Sequence, residues 1–309
     1  MSLLVIGTVA YDAIETPFGK TDKIVGGAAS FISLAASYYN PNIHLVSVIG
    51  DDYDQNFLKL LQSRGINLDG LEVKKGEKSF FWKGKYHTDM NSRDTLDTQL
   101  NVLAEFSPKV PENAKNADFL MLGNLMPSIQ MNVLKQMNKR PKLVVMDTMN
   151  FWMQTAIDDL LKVLKEIDVL TINDEEARLL TNTHSLRKAA KQILSMGPKI
   201  LIIKKGEHGA LLFHKNDVFF APALPLEDVF DPTGAGDSFA GGFVGYLSRT
   251  KDISFDNLKR AIVVGSAMAS FTVEKFGTEA LQNLNPGTIH NRIQEFVKLS
   301  SFDFKLETV

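Results

Sequence analysis

The chain contains no cysteine. That absence removes thiol nucleophiles, disulfide frameworks and cysteine-ligated zinc from consideration, and it fits a reducing cytoplasm. Histidine is sparse, with six residues dispersed along the chain, which is a poor basis for a zinc site. No apolar run approaches the roughly 20 residues that a membrane-crossing helix needs. The apolar start, residues 1–10, lacks the cationic flank of a signal peptide and leads straight into Asp12 and Glu15, so a buried first strand over 3–6 accounts for it. Charge of one sign is also lacking. The formal net charge is −2 and the charged residues are scattered, which argues against a nucleic-acid partner or an anionic membrane surface. Several well-known motifs are missing as well: G-x-x-x-x-G-K-[ST], H-E-x-x-H and G-x-S-x-G. Gly234-Ala235-Gly236 does not extend into a dinucleotide fingerprint, because Phe239 takes the place of the last glycine.

What the 309 residues do contain is a long alternation of strand-like apolar runs and helix-period segments. Strands are expected at 3–6, 45–49, 119–122, 143–146, 169–172, 200–203 and 218–220. Helical patterns cover 27–38, 57–61, 129–137, 155–165, 175–180 and 186–194. Continuous apolar strands alternating with helices predict an α/β fold, a mostly parallel sheet flanked by helices on both faces. Two segments break the rhythm, 11–25 and 71–106. They read as short alternating strands, and in Phe80-Phe81-Trp82-Lys83-Gly84-Lys85-Tyr86 bulky aromatics interleave with charges. The expectation is a small antiparallel sheet standing off the main body as a lid, with the α/β domain made from 1–10, 26–70 and 107–309. Alternation can turn only one set of those aromatics inward, either Phe80 and Trp82 or Phe81. The tail from Asp303 carries little pattern and is expected to be mobile.

The segment that organises the chain is Asp231-Pro232-Thr233-Gly234-Ala235-Gly236-Asp237, which runs directly into a helix-compatible stretch. Unpaired amides of Gly234, Ala235 and Gly236 at a helix N-terminus would cradle an anion, since free donors and the helix dipole point the same way. A carboxylate just after such a cradle opposes an anion. Asp237 makes sense there if it takes the proton of a hydroxyl that attacks a phosphoryl group. A glycine-rich turn with a capping Asp is the plain structural alternative.

Three further constellations follow predicted strands or open helices. Lys204-Lys205-Gly206-Glu207-His208-Gly209 lies where α/β sheets bind ligands, and its lysines could meet a polyphosphate or simply face solvent. Asn173-Asp174-Glu175-Glu176 has capping-box spacing, which explains it structurally; it also suits Asn173 near phosphates and Glu176 holding a water of hydrated Mg²⁺. Asp12 with Gly26-Gly27 suits a polyhydroxylated ligand, because a carboxylate accepts from two vicinal hydroxyls.

Taken in order, these residues resemble the PfkB family of carbohydrate kinases, which share the ribokinase-like fold. The resemblance rests on residues 231–237, on Asn173 and Glu176, on Lys204 to Gly209, on Gly7 to Asp12, on Gly26-Gly27, and on 48–52 followed by Leu61 and Gly65. It implies phosphoryl transfer from ATP to a hydroxyl, with Asp237 as base and Gly234, Ala235 and Gly236 as the anion hole. Asn173, Lys204, Gly206 and Gly209 would serve the nucleotide, and Glu176 would order Mg²⁺ through water. Asp231 matches a position that binds a monovalent cation, such as K⁺, in several relatives, and Asp12, Gly26 and Gly27 would face the acceptor. Where many relatives carry Asn, this chain has Phe31. An aromatic there offers a stacking face, so a nucleoside or a cyclitol such as myo-inositol stands beside a simple sugar as acceptor. A catalytically silent sugar- or nucleotide-binding regulator on the same fold is the alternative outside enzymes. The resemblance also implies a cytoplasmic protein and allows a homodimer through the lid.

Overall fold

Four consecutive apolar residues, Leu3–Ile6, form strand β1, and their side chains alternate between two cores. Leu3 and Val5 pack on one side of a sheet, while Leu4 and Ile6 pack on the other. A strand buried on both faces belongs inside a parallel sheet, as the sequence pattern requires. The computed structural model describes residues 1–301, and the tail from Asp303 lies outside the described residues.

The remaining strands are β2 (Ala10–Thr16), β3 (Gly19–Lys20), β4 (Ile24–Gly26), β5 (Ile43–Gly50), β6 (Ile66–Lys74), β7 (Phe81–Tyr86), β8 (Arg93–Gln99) and β9 (Phe119–Leu122). After them come β10 (Leu143–Asp147), β11 (Val169–Asn173), β12 (Ile200–Lys204), β13 (Ala210–His214) and β14 (Asp217–Ala221). The helices are α1 (Ala28–Ser37), α2 (Gln55–Ser63), α3 (Pro127–Gln136), α4 (Asn150–Thr155), α5 (Ile157–Leu164) and α6 (Asp174–Thr181). They continue as α7 (Leu186–Ser195), α8 (Ala235–Thr250), α9 (Phe255–Thr272), α10 (Glu279–Gln282) and α11 (Pro286–Ser300).

The main sheet runs β14-β13-β12-β11-β10-β9-β1-β5-β6. It is parallel from β6 to β12, and the last two pairs are antiparallel. Helices α1, α8 and α9 supply the core on one face; α3, α5, α6 and α7 supply it on the other. The doubly covered, mostly parallel sheet expected from the sequence is the architecture the chain adopts. Helix α9 packs closely on α8, where the missing Cβ of Gly242 leaves room for Met268 and Gly265.

The second sheet runs β3-β2-β7-β8, with β4 also paired to β2. It is mixed instead of wholly antiparallel, because β2 and β7 lie parallel. The cause is topological: β2 follows β1 and β7 follows β6, and both leave the same edge of a parallel sheet. The second lid segment is also shorter than 71–106. Strand β6 continues along β5 as far as Lys74, and Val102 and Phe106 are already buried in the body. Alternation alone cannot separate an edge strand of one sheet from a strand of another.

Candidate active site

Because β10, β11 and β12 are parallel, their last residues lie side by side at one edge, where open α/β sheets bind ligands. Those residues are Asp147, Asn173 and Lys204. The ammonium of Lys204 lies 3.1 and 3.2 Å from the two carboxylate oxygens of Asp147. The Thr171 hydroxyl donates to the same carboxylate at 3.0 Å, and Asp147 is only 5% exposed. Burial alone would lower the pKa of Lys204, but Asp147, Glu176 and Asp237 together hold it above its ordinary value. Lys204 is therefore a fixed cation among three carboxylates. Lys205 is not part of this cluster, since its ammonium lies over the Phe220 ring at 6.0 Å.

Opposite this edge stands the tip of α8. Gly234 caps it in a left-handed conformation (φ 76°) without a side-chain acceptor. A Cβ at Gly234 would stand 2.5 Å from the Phe31 ring, so both the backbone angle and the space demand glycine. Phe31 is 1% exposed and its ring is covered by Gly234, so it forms the floor beneath the loop and offers no open face for stacking. The amides of Gly234, Gly236 and Asp237 donate to no protein acceptor among the described residues. The Ala235 amide closes a turn onto the Pro232 carbonyl at 3.2 Å, which leaves it committed within the loop. Free donors at a helix tip make an anion site.

The Asp237 carboxylate makes no hydrogen bond to a described residue, although Asp147, Glu176, Lys204 and Arg93 all act on it. Burial, then Asp147, raises its pKa to about 7; Glu176 adds to this, while Lys204 and Arg93 pull it down. Glu176 is raised to about 7 for the same leading reason, burial. One of its oxygens accepts from the Asn173 amide at 3.0 Å, and the Asn173 side chain accepts from the Glu176 amide at 2.7 Å. This is the complete capping box that the spacing indicates. It leaves the other Glu176 oxygen without a protein partner among the described residues. No group of three acidic or histidine side chains is close enough to hold a metal directly among those residues.

Asp12, 5% exposed, reaches from the lid over Gly26, where any Cβ would overlap its carboxylate. Burial, then Asp231 and Asp237, raises its pKa to about 7, against a lowering hydrogen bond from the Gly27 amide. A carboxyl whose folded pKa exceeds its unfolded value contributes stability below the unfolded pKa that is lost as pH rises through about 7. Asp12→Asn is therefore expected to stabilise the ligand-free protein at pH 8 by on the order of a few kcal/mol, raising its thermal midpoint, with roughly a third of that gain at pH 5. Scanning calorimetry at the two pH values checks this. An equal shift at both would mean that the buried charge is not the cause.

Asp231 is fully buried and staples two loops, accepting from the Thr233 and Gly277 amides at 2.9 Å each. Gly206 meets the lid, where the Asn91 amide donates to Glu207 at 2.9 Å. Gly209 lies against the Ala221 and Ala223 backbone, so chain packing accounts for it. Sequence reading missed Asp147, although an acidic residue ending an apolar parallel strand is a usable signal. Arg93, on the exposed strand β8, stands opposite Tyr86, which bonds Thr233 in the α8 loop at 3.2 Å, and its charge is felt at Asp237 and Glu176.

A model of the pfkB family of carbohydrate kinases matches residues 2–284 of this chain. The cytidine kinase of Thermococcus kodakarensis is 28% identical over 283 residues, covering 90% of this chain and 98% of its own. The nucleoside kinase of Methanothermobacter thermautotrophicus is 27% identical, covering 90% of this chain and 91% of its own. The crystal structure of the Methanocaldococcus jannaschii nucleoside kinase superposes with a TM-score of 0.75 at 22% identity, covering 96% of this chain and 99% of its own. The chain belongs to the pfkB family of carbohydrate kinases. It is an ATP-dependent phosphotransferase acting on a hydroxyl group of a sugar or nucleoside.

Proposed function

We propose that this pfkB family carbohydrate kinase phosphorylates the hydroxymethyl group of a nucleoside, with Asp237 as the base. One observation carries the reading: a carboxylate free of protein partners stands directly after the unpaired Gly234 and Gly236 amides, at the tip of α8. In the reaction Asp237 accepts the proton of the attacking hydroxyl, and the amides hold the oxygens of the migrating phosphoryl group. Lys204 supplies a positive charge beside Gly236, where a Cβ would lie 2.9 Å from its ammonium. Asp12, Gly26 and Gly27 hold the vicinal hydroxyls of the acceptor, and Asn173 and Gly206 line the nucleotide side. The similarity to a cytidine kinase and a nucleoside kinase across most of their lengths supports a nucleoside over a free sugar or a cyclitol. An acceptor panel with ATP tests it: cytidine, inosine and adenosine against ribose, fructose and myo-inositol. Turnover of ribose or inositol with none of any nucleoside would reject the acceptor class while leaving the kinase assignment in place.

The partner-free oxygen of Glu176 fits a hydrated Mg²⁺ held through water, and the ion would neutralise phosphate charge on the nucleotide. Glu176→Gln is expected to raise the Mg²⁺ needed for half-maximal rate by about 10-fold to 100-fold. An unchanged Mg²⁺ titration would remove Glu176 from that role. Asp231, buried beside the loop, is our assignment for a monovalent cation; equal rates in K⁺ and Li⁺ would reject it. The lid offers a dimer surface, because β8 is exposed along its whole length at the sheet's edge, with Leu96 49% exposed. Light scattering that finds only monomer at all concentrations would reject that pairing. No helix among the described residues is long and apolar enough to cross a membrane. We place the reaction in the cytoplasm, where its co-substrate ATP is available.

A further inference from the structure

One face of the lid looks into the cleft, and the register identifies it. Tyr86 lies on that face, since its hydroxyl meets Thr233 in the α8 loop. Side chains along a strand alternate, so Gly84 and Trp82 share the face with Tyr86, while Lys83 and Lys85 point away. Lys85 confirms the outer direction by pairing with Glu15 at 2.6 Å, both partners being solvent-accessible. On the neighbouring strand Asp12 stands opposite Trp82 and Ile14 opposite Gly84. On the other side Thr95 stands opposite Gly84, and Arg93 opposite Tyr86.

The Trp82 indole does not stand up from this surface. A Cβ at Gly84 would overlap three carbons of its six-membered ring, so the ring lies flat across the glycine. Its Nε1 donates to the Thr95 hydroxyl at 3.2 Å, which fixes the ring's rotation. Trp82 stays partly exposed, and over its ring the Arg93 guanidinium stands back at 5.9 Å from the centroid, beyond direct stacking contact. An indole clamped along one face and one edge has lost its rotamer freedom before any ligand arrives. It begins on the strand next to Asp12, the two backbones about 5 Å apart, and leans along β7 over Gly84. That offset is about the width of one sugar ring.

We infer that Trp82 is the platform on which the aromatic base of the acceptor stacks while Asp12 holds the attached sugar. The inference rests on the nucleoside reading above and assigns the residue that makes the site prefer a nucleoside. Base–indole stacking tolerates different bases, because each has a π-face. Gly84 is part of the device, since any side chain there would lift the ring. Phe31, the aromatic that the sequence suggested for stacking, is covered by Gly234, and Trp82 takes that role instead.

The test uses the full chain and the nucleoside that the wild-type enzyme phosphorylates best. Trp82→Leu is expected to raise KM for that nucleoside by on the order of 10-fold to 100-fold. KM for ATP should stay within about twofold, and Trp82→Phe should restore most of the loss. A variant that merely folds poorly lowers kcat without moving KM, so the two causes separate. As a direct readout, the chain has two tryptophans, and in a Trp152→Phe background nucleoside binding should quench the Trp82 fluorescence. A Leu variant with unchanged nucleoside KM, or with a raised KM for ATP alone, overturns the platform while the nucleoside reading stands. A wild-type enzyme that phosphorylates no nucleoside overturns the reading itself, and the platform with it.

Discussion

Replacing Asp237 with Asn is expected to lower kcat by about 10²-fold to 10⁴-fold, with KM for ATP changed by no more than a few-fold. The size follows from the reaction type. Phosphoryl transfer proceeds through a loose transition state, so most of the acceleration comes from positioning and charge, and the base adds a bounded share. The amide of residue 237 survives the substitution, so the anion cradle at the tip of α8 persists and nucleotide binding persists with it. The pH dependence is the sharper signature. Burial and the neighbouring Asp147 raise Asp237 to about 7, and the base must be ionised to accept a proton. The wild-type kcat/KM should therefore climb as pH rises from about 5.5 and level off above about 8, with a midpoint near the raised value. In Asp237→Asn the share of that limb due to the base should be lost, leaving only what the ionisation of Asp12 and Glu176, both also raised to about 7, contributes. A variant within a few-fold of wild type on the best acceptor, or one that keeps the same limb, would move the base elsewhere.

The parts of this site that sequence makes legible are those whose chemistry and backbone geometry coincide in one short stretch. Residues 231–237 carry a turn, two glycines and a carboxylate, and each has one natural place at a helix start. The capping box of Asn173 and Glu176 is equally local, and the structure forms it as spaced. The parallel core is legible for a related reason. Runs such as 143–146 and 200–203 are apolar at every position, and only a doubly covered strand has a use for that. Strand β13 is less visible, because its apolar residues follow directly on the glycine loop and read as part of it. What local pattern cannot show is which polar residues meet across sequence distance. Asp147 and Lys204 are partners only because β10, β11 and β12 bring their ends together. Arg93 and Tyr86 matter only because the lid folds one face back over the α8 loop. Phe31 illustrates the opposite error: its position implied a ligand contact, while packing assigned its ring to Gly234. The Ala235 amide is similar, since nothing in its sequence neighbourhood signals that it closes a turn onto Pro232.

Lys204→Met should show two separable losses, and their separation identifies what the lysine does. The ammonium lies within 3.2 Å of both oxygens of Asp147 and also faces Glu176 and Asp237. Removing it leaves three carboxylates around one cleft with Arg93 as the remaining cation that acts on Asp237. The first loss is stability. Asp147 would be a buried, unpaired charge, and breaking such a pair by removing one partner costs about 3–5 kcal/mol. The second is rate. A fixed positive charge beside Gly236 stabilises the charge that develops on the transferred group, and losing one such contact lowers kcat by about 10²-fold to 10³-fold. The base is affected as well. Lys204 holds the Asp237 pKa down, so the rising limb of the pH–rate profile should shift to higher pH in the variant. Pairing the substitution with Asp147→Asn separates these effects, because the neutral partner removes the orphaned charge. The double variant should recover most of the thermal stability lost by Lys204→Met but little of the kcat. Full recovery of both would make Lys204 a structural counter-ion to Asp147, with no part in steadying the migrating phosphoryl group. Recovery of stability alone would place its charge on the reaction itself.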